Sequence, residues 1–171
     1  LVDDLTVAVS YTPAGANDES SSAFGLTYAG VEGLSVSYGQ GSADGDAAGS
    51  GGTTANSDTT SLKASYAIGS FTLAYSDHDH DSNTDTSDQT ASSWKVSYTV
   101  SDAVSVTYGT ESLDSAATAD TSDAEYTKIT ASHTSGGMTV SANYQEATEM
   151  SYTTATDEDE EYYGLSLSFA F

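Results

Sequence analysis

Tyr162-Tyr163-Gly164-Leu165-Ser166-Leu167-Ser168-Phe169-Ala170-Phe171 ends the chain, and its alternation decides how the rest is read. Successive side chains of a strand point to opposite faces, so Tyr163, Leu165, Leu167, Phe169 and Phe171 share one face. Gly164, Ser166, Ser168 and Ala170 share the other. Large apolar groups backed by small ones suit a strand with lipid on one side and water on the other.

The same pattern recurs upstream roughly every 35 residues, each time as a strand, a tight turn and a second strand. Leu5-Val7-Val9-Tyr11 comes first. Phe24-Leu26-Tyr28 and Leu34-Val36-Tyr38 flank the turn Ala29 to Gly33, and Leu62-Ala64-Tyr66 and Phe71-Leu73-Tyr75 flank Ile68-Gly69-Ser70. Trp94-Val96-Tyr98 and Val104-Val106-Tyr108 flank Val100 to Ala103; Ile129 and Ala131 precede the turn Thr134 to Gly137, before Met138-Val140-Ala142-Tyr144. With the closing strand this predicts an all-β, antiparallel up-and-down transmembrane barrel domain over 1–171, with about ten strands. Long Ser/Thr/Asp/Gly loops are expected at about 12–22, 39–61, 76–93, 109–125 and 145–161.

Bulk composition is silent on this. The chain has 171 residues, 37% of them hydrophobic, and a mean hydropathy of −0.35, as an ordinary soluble protein would. No apolar run approaches the roughly 20 residues of a spanning helix, but barrel strands are half polar by construction. Charge is more telling: 26 Asp and Glu stand against three Lys, for a formal charge of −23, which opposes nucleic-acid binding. The acids concentrate in the expected loops, so an acidic outer vestibule that concentrates cations is expected. The absence of cysteine excludes disulfides, thiolate metal sites and cysteine nucleophiles. With no basic-then-apolar leader, Leu1 is expected to be a processed end or an internal start of a longer chain.

Tyr11, Tyr38, Tyr75, Tyr108 and Tyr144 each stand where an ascending strand enters a long loop, while Tyr28, Tyr66 and Tyr98 close descending strands. Two aromatic belts result, with Trp94 added, at the levels where an apolar ring with a polar tip suits a lipid–water boundary. The opposite face is small and neutral, including Ser65, Ser97 and Thr130 as expected pore-lining positions. Lys63, Lys95 and Lys128 fall in the same inward set, at about one height, with neighbours about 10 Å apart from two strand spacings. A strip of positive charge facing acidic loops would set a transverse field across a wet lumen.

The closing strand with its terminal Phe171, the tyrosine belts and the lysine slot resemble the general diffusion porins of the Gram-negative outer membrane. The resemblance implies that Phe171 is part of the signal read by the barrel insertion machinery. It also implies outer-membrane lipid and lipopolysaccharide as surroundings, small hydrophilic solutes as cargo, and a homotrimer. It further implies that these ten strands belong to a barrel of roughly 16. Small inward residues fit that wider barrel better than a ten-stranded one, whose core is normally filled. The expected function is passive, cation-preferring diffusion without a resident cofactor. The alternative is a small structural or adhesive barrel whose acidic loops bind divalent cations or a surface partner.

Asp77-His78-Asp79-His80-Asp81 supplies five potential metal ligands, with carboxylates on one side and imidazoles on the other if extended. It matches no known spacing motif, and a solvated loop is the competing reading. Omptin-type barrel proteases use Asp pairs and an Asp-His pair; His78, His80 and His133 are the imidazoles available here, and His133 lies near a periplasmic turn. No Gly-x-Ser-x-Gly or phosphate loop is present, so no enzyme is expected.

Overall fold

The computed structural model describes residues 4–15, 20–45, 56–83, 88–117, 122–150, 152 and 159–170. They form ten strands: β1 (Leu5–Thr12), β2 (Ser21–Tyr28), β3 (Leu34–Ala43), β4 (Ser57–Ile68), β5 (Phe71–Ser82), β6 (Gln89–Ser101), β7 (Val104–Ser115), β8 (Ala124–Ser135), β9 (Met138–Thr148) and β10 (Glu160–Phe169). Each pairs antiparallel with its sequence neighbours in one sheet of order β1 to β10. Among the described residues β1 and β10 do not pair with each other, so the sheet is open at both edges.

The tight turns follow from local chemistry. Gly136 and Gly137 both take positive φ, as a type I′ turn requires, and join β8 to β9 in the hand that matches strand twist. Gly69 alone is positive between β4 and β5, the pattern of a type II′ turn with Ser70 second. Between β6 and β7 a register shift lies at Thr99/Ser101, a bulge that takes up Val100.

The sheet has almost no interior. Among the described residues, Ala124 at 1% exposure and Ala147 at 5% are the buried apolar side chains, while Val9 is 78% and Leu165 80% exposed. Apolar rows left uncovered on a sheet of this size have no place in a water-soluble domain. They require a solvent that is itself apolar. On the other face, directly opposed hydroxyls pair across strands: Thr27–Ser37 at 3.0 Å, Ser76–Ser93 at 2.8 Å, Ser97–Thr107 at 2.9 Å, Ser105–Ser132 at 2.7 Å and Thr134–Thr139 at 2.9 Å. These cross-strand pairs stitch the polar face without any packed layer above it.

The strands run further than the hydrophobic alternation. The stretches 39–61, 76–93, 109–125 and 145–161 are not loops throughout: β3 continues to Ala43, β4 starts at Ser57, β5 reaches Ser82, β6 starts at Gln89, β7 reaches Ser115, β8 starts at Ala124, β9 reaches Thr148 and β10 starts at Glu160. The expected loop at 12–22 likewise gives way to β2 at Ser21. Alternation of apolar and polar residues records contact with lipid. Beyond the lipid both faces are wet, so the alternation fades while the hydrogen-bond ladder continues. Asp77-His78-Asp79-His80-Asp81 is therefore strand, not a free loop, and pairs with Leu62 to Asp58 of β4.

Candidate functional site: the inner wall

Register fixes which side chains share the polar face. One cross-strand row runs Ser65 (β4), Ala74 (β5), Lys95 (β6), Gly109 (β7), Lys128 (β8) and Gln145 (β9). The row nearer the long loops runs Lys63, Ser76, Ser93, Glu111 and Tyr126 across β4 to β8. Ser97 and Thr130 flank Thr107 in the row below. Lys63, Lys95 and Lys128 thus share a face but not a single row. Lys95 and Lys128 are level across Gly109, and Lys63 stands one row higher.

Gly109 matters because it leaves a gap between two lysines. A methyl group there would meet Lys95 Cβ at 3.0 Å and the Trp94 carbonyl at 3.1 Å. A trough of about 650 Å³ opens along this wall, lined by Lys63, Lys95 and Lys128 together with Glu111, Tyr126 and Gln145. All three lysines are exposed, and among the described residues none is ion-paired. Glu111, Tyr126 and Gln145 were not singled out by sequence reasoning. Their signal was available as parity: Glu111 lies two residues from Gly109, and Tyr126 two from Lys128.

The strand-borne acids reverse one expectation. Asp58, Asp77, Asp79, Asp81, Asp114, Glu125, Glu146 and Glu161 share the outer face with Tyr38, Tyr75, Tyr108 and Tyr144, away from the lysines. Tyr75 donates to Asp77 at 3.1 Å and Tyr163 to Glu161 at 3.0 Å, both on the outer surface. On the inner face the strand charges are the three lysines, with Glu111 and Glu160 as the acids. Among the described residues, the strand acids do not gather over the inner wall.

His78 and His80 point to the inner face and Asp77, Asp79 and Asp81 to the outer. A strand cannot turn both sets toward one ion, and among the described residues no three ligating side chains converge.

The tyrosines of the two rows and Trp94 share the outer face. Phe24 packs on Tyr38 at 5.8 Å between ring centroids, Phe71 on Tyr98 at 4.5 Å, Trp94 on Tyr108 at 5.4 Å and Tyr144 on Tyr163 at 5.0 Å. Tyr11, 69% exposed, and Tyr28, Tyr66 and Tyr75 lie on the same face. From Tyr38 to Tyr75 to Tyr108 the belt slips by two residues per hairpin relative to the hydrogen-bond rows, the stagger of strands tilted to a membrane normal. Phe171 lies outside the described residues.

Residues 2–135 match the family described as Gram-negative porin. The chain belongs to this family. This porin accordingly resides in the Gram-negative outer membrane. No curated protein matches its sequence. Solved structures agree in fold: in-vitro folded OmpT, an outer membrane protein of Vibrio cholerae, has a TM-score of 0.65 at 16% identity, with 99% of this chain and 61% of that one covered. The loop L8 deletion mutant of the same protein gives 0.61 at 16% identity, covering 99% and 60%. An anion-selective porin from Comamonas acidovorans gives 0.64 at 17% identity, covering 86% of this chain and 46% of that one. This porin spans about 60% of the length of the OmpT chains it matches.

Proposed function

We propose that these strands form part of the wall of a water-filled channel through which small hydrophilic solutes diffuse passively, without chemical turnover. One observation carries the reading: the sheet leaves its apolar rows bare on one face and gathers hydroxyls and every lysine on the other. A wall of that kind serves no purpose unless lipid covers one side and water the other. Outer-membrane lipid and lipopolysaccharide are the proposed partners of the outer face, and family membership favours a trimer.

The cation preference expected from acidic loops is not carried over. Most strand acids face outward, the inner wall carries Lys63, Lys95 and Lys128 against Glu111 and Glu160, and one similar fold belongs to a porin named as anion-selective. We infer that the wall itself favours anions, because close fixed charges dominate within a Debye length of about 8 to 10 Å.

The test is reconstitution of the full-length protein in planar bilayers under a salt gradient. Open-channel steps with a reversal potential on the anion side support the proposal. Lys63→Glu, Lys95→Glu and Lys128→Glu combined should carry the reversal potential to the cation side. Silent membranes would favour the structural or adhesive barrel instead.

A further inference from the structure

Lys95, Lys128 and Glu111 surround Gly109 in a way that diffusion alone does not require. Lys95 and Lys128 flank Gly109 in the same row, and Glu111 stands on the same strand two residues toward the long loops, on the same face. Two strand spacings separate the lysine backbones, about 10 Å, and two residues along β7 separate Glu111 from the gap, about 7 Å. Because position 109 has no side chain, the floor of this hollow is backbone, and both ammonium groups can lean over it. Tyr126 faces Glu111 directly and Gln145 faces Lys128 directly, adding a hydroxyl and an amide on the β8–β9 side. All five side chains line the same trough of about 650 Å³, far more room than a few waters need.

Two positive groups and one negative group at this spacing are complementary to a molecule that carries both signs close together. We propose that this hollow is a binding subsite for small zwitterions of the amino-acid type. The carboxylate sits between the Lys95 and Lys128 ammonium groups over Gly109, and the ammonium turns toward Glu111. A plain anion would meet the lysines but also the repulsion of Glu111. A plain cation would meet Glu111 flanked by two like charges. Only a zwitterion finds all three charges favourable. The inference rests on the channel reading above and deepens it by naming a solute class.

Flux into liposomes containing the full-length protein separates the possibilities. The probes are alanine, N-acetylalanine, which keeps only the negative charge, and alaninamide, which keeps only the positive one; glycerol reports the open pore. Alanine is expected to outpace N-acetylalanine in the native protein by a ratio that Glu111→Gln lowers by about two- to fivefold, the factor an exposed charge pair supports. Size differences between probes cancel when the ratios are compared. Lys95→Gln with Lys128→Gln should slow alanine and N-acetylalanine alike relative to glycerol, and heat-modifiable migration on a denaturing gel shows that the variant has folded and inserted. An alanine to N-acetylalanine ratio unmoved by Glu111→Gln, with glycerol flux intact, overturns the subsite and leaves the channel standing. Loss of glycerol flux in the native protein overturns both.

Discussion

Leu73 and Thr72 are neighbours in β5 that live in different solvents: Leu73 is 49% exposed on the outer face, and Thr72 sits opposite Ser97 on the inner one. The same substitution should therefore have two different outcomes. Leu73→Lys places a charge against hydrocarbon and is expected to cost about 2 to 4 kcal/mol near the bilayer centre, whereas Thr72→Lys should cost under about 1 kcal/mol. Urea unfolding of the protein in lipid vesicles reads both; equal losses would mean that the faces are assigned wrongly. Which side each of these residues takes was legible in the sequence, because a period of two needs only one anchored strand to fix every parity. The roles of Glu111 and Tyr126 were harder to see. They become informative only when register puts them around Gly109, and register is a relation between strands that a single strand's pattern does not contain.

At the scale of the element, the turns carry sharp constraints. Gly33 has φ of +77° and a methyl group there would run into the Ala67 carbonyl, while Gly69 has φ of +57° with open space around it. Gly69→Ala is expected to cost about 1 to 2 kcal/mol from left-handed backbone alone, and Gly33→Ala more, since the collision adds to it. Urea midpoints of the two variants in the same lipid give the order. The upper half of β5 offers a second check, because the native chain has no cysteine to interfere. Single replacements His78→Cys and Asp77→Cys can be treated with a charged, water-soluble thiol reagent during conductance recording. Modification at 78 is expected to change the current and modification at 77 to leave it unaltered; a change at 77 alone would reverse the faces of β5. The sequence pointed to a loop here because Asp and Ser are poor strand formers and no apolar alternation remains. What keeps the segment extended is the neighbouring strand: Asp58 to Leu62 of β4 supplies the ladder partners, whatever the side chains prefer.

At the scale of the molecule, the ten antiparallel strands and their order were readable in advance, because every hairpin announced itself by a short turn between two alternating runs. Charge distribution was not. Counting acids along the chain suggested a negative mouth, yet a strand sends adjacent residues to opposite faces, so Asp77 and His78 end on different sides of the wall. The net charge of −23 therefore says little about what an ion meets inside.

A sheet without a packed interior also changes what evolution can do with it. In a layered domain each core side chain touches many others, and a replacement at one position constrains its partners. Here a residue answers mainly to its medium and to the one or two residues beside it on adjacent strands. Any greasy group will serve outside and any small polar one inside, so sequences can drift almost freely while the architecture persists. Fold agreement at TM-scores of 0.61 to 0.65 with only 16 to 17% identity is compatible with that tolerance.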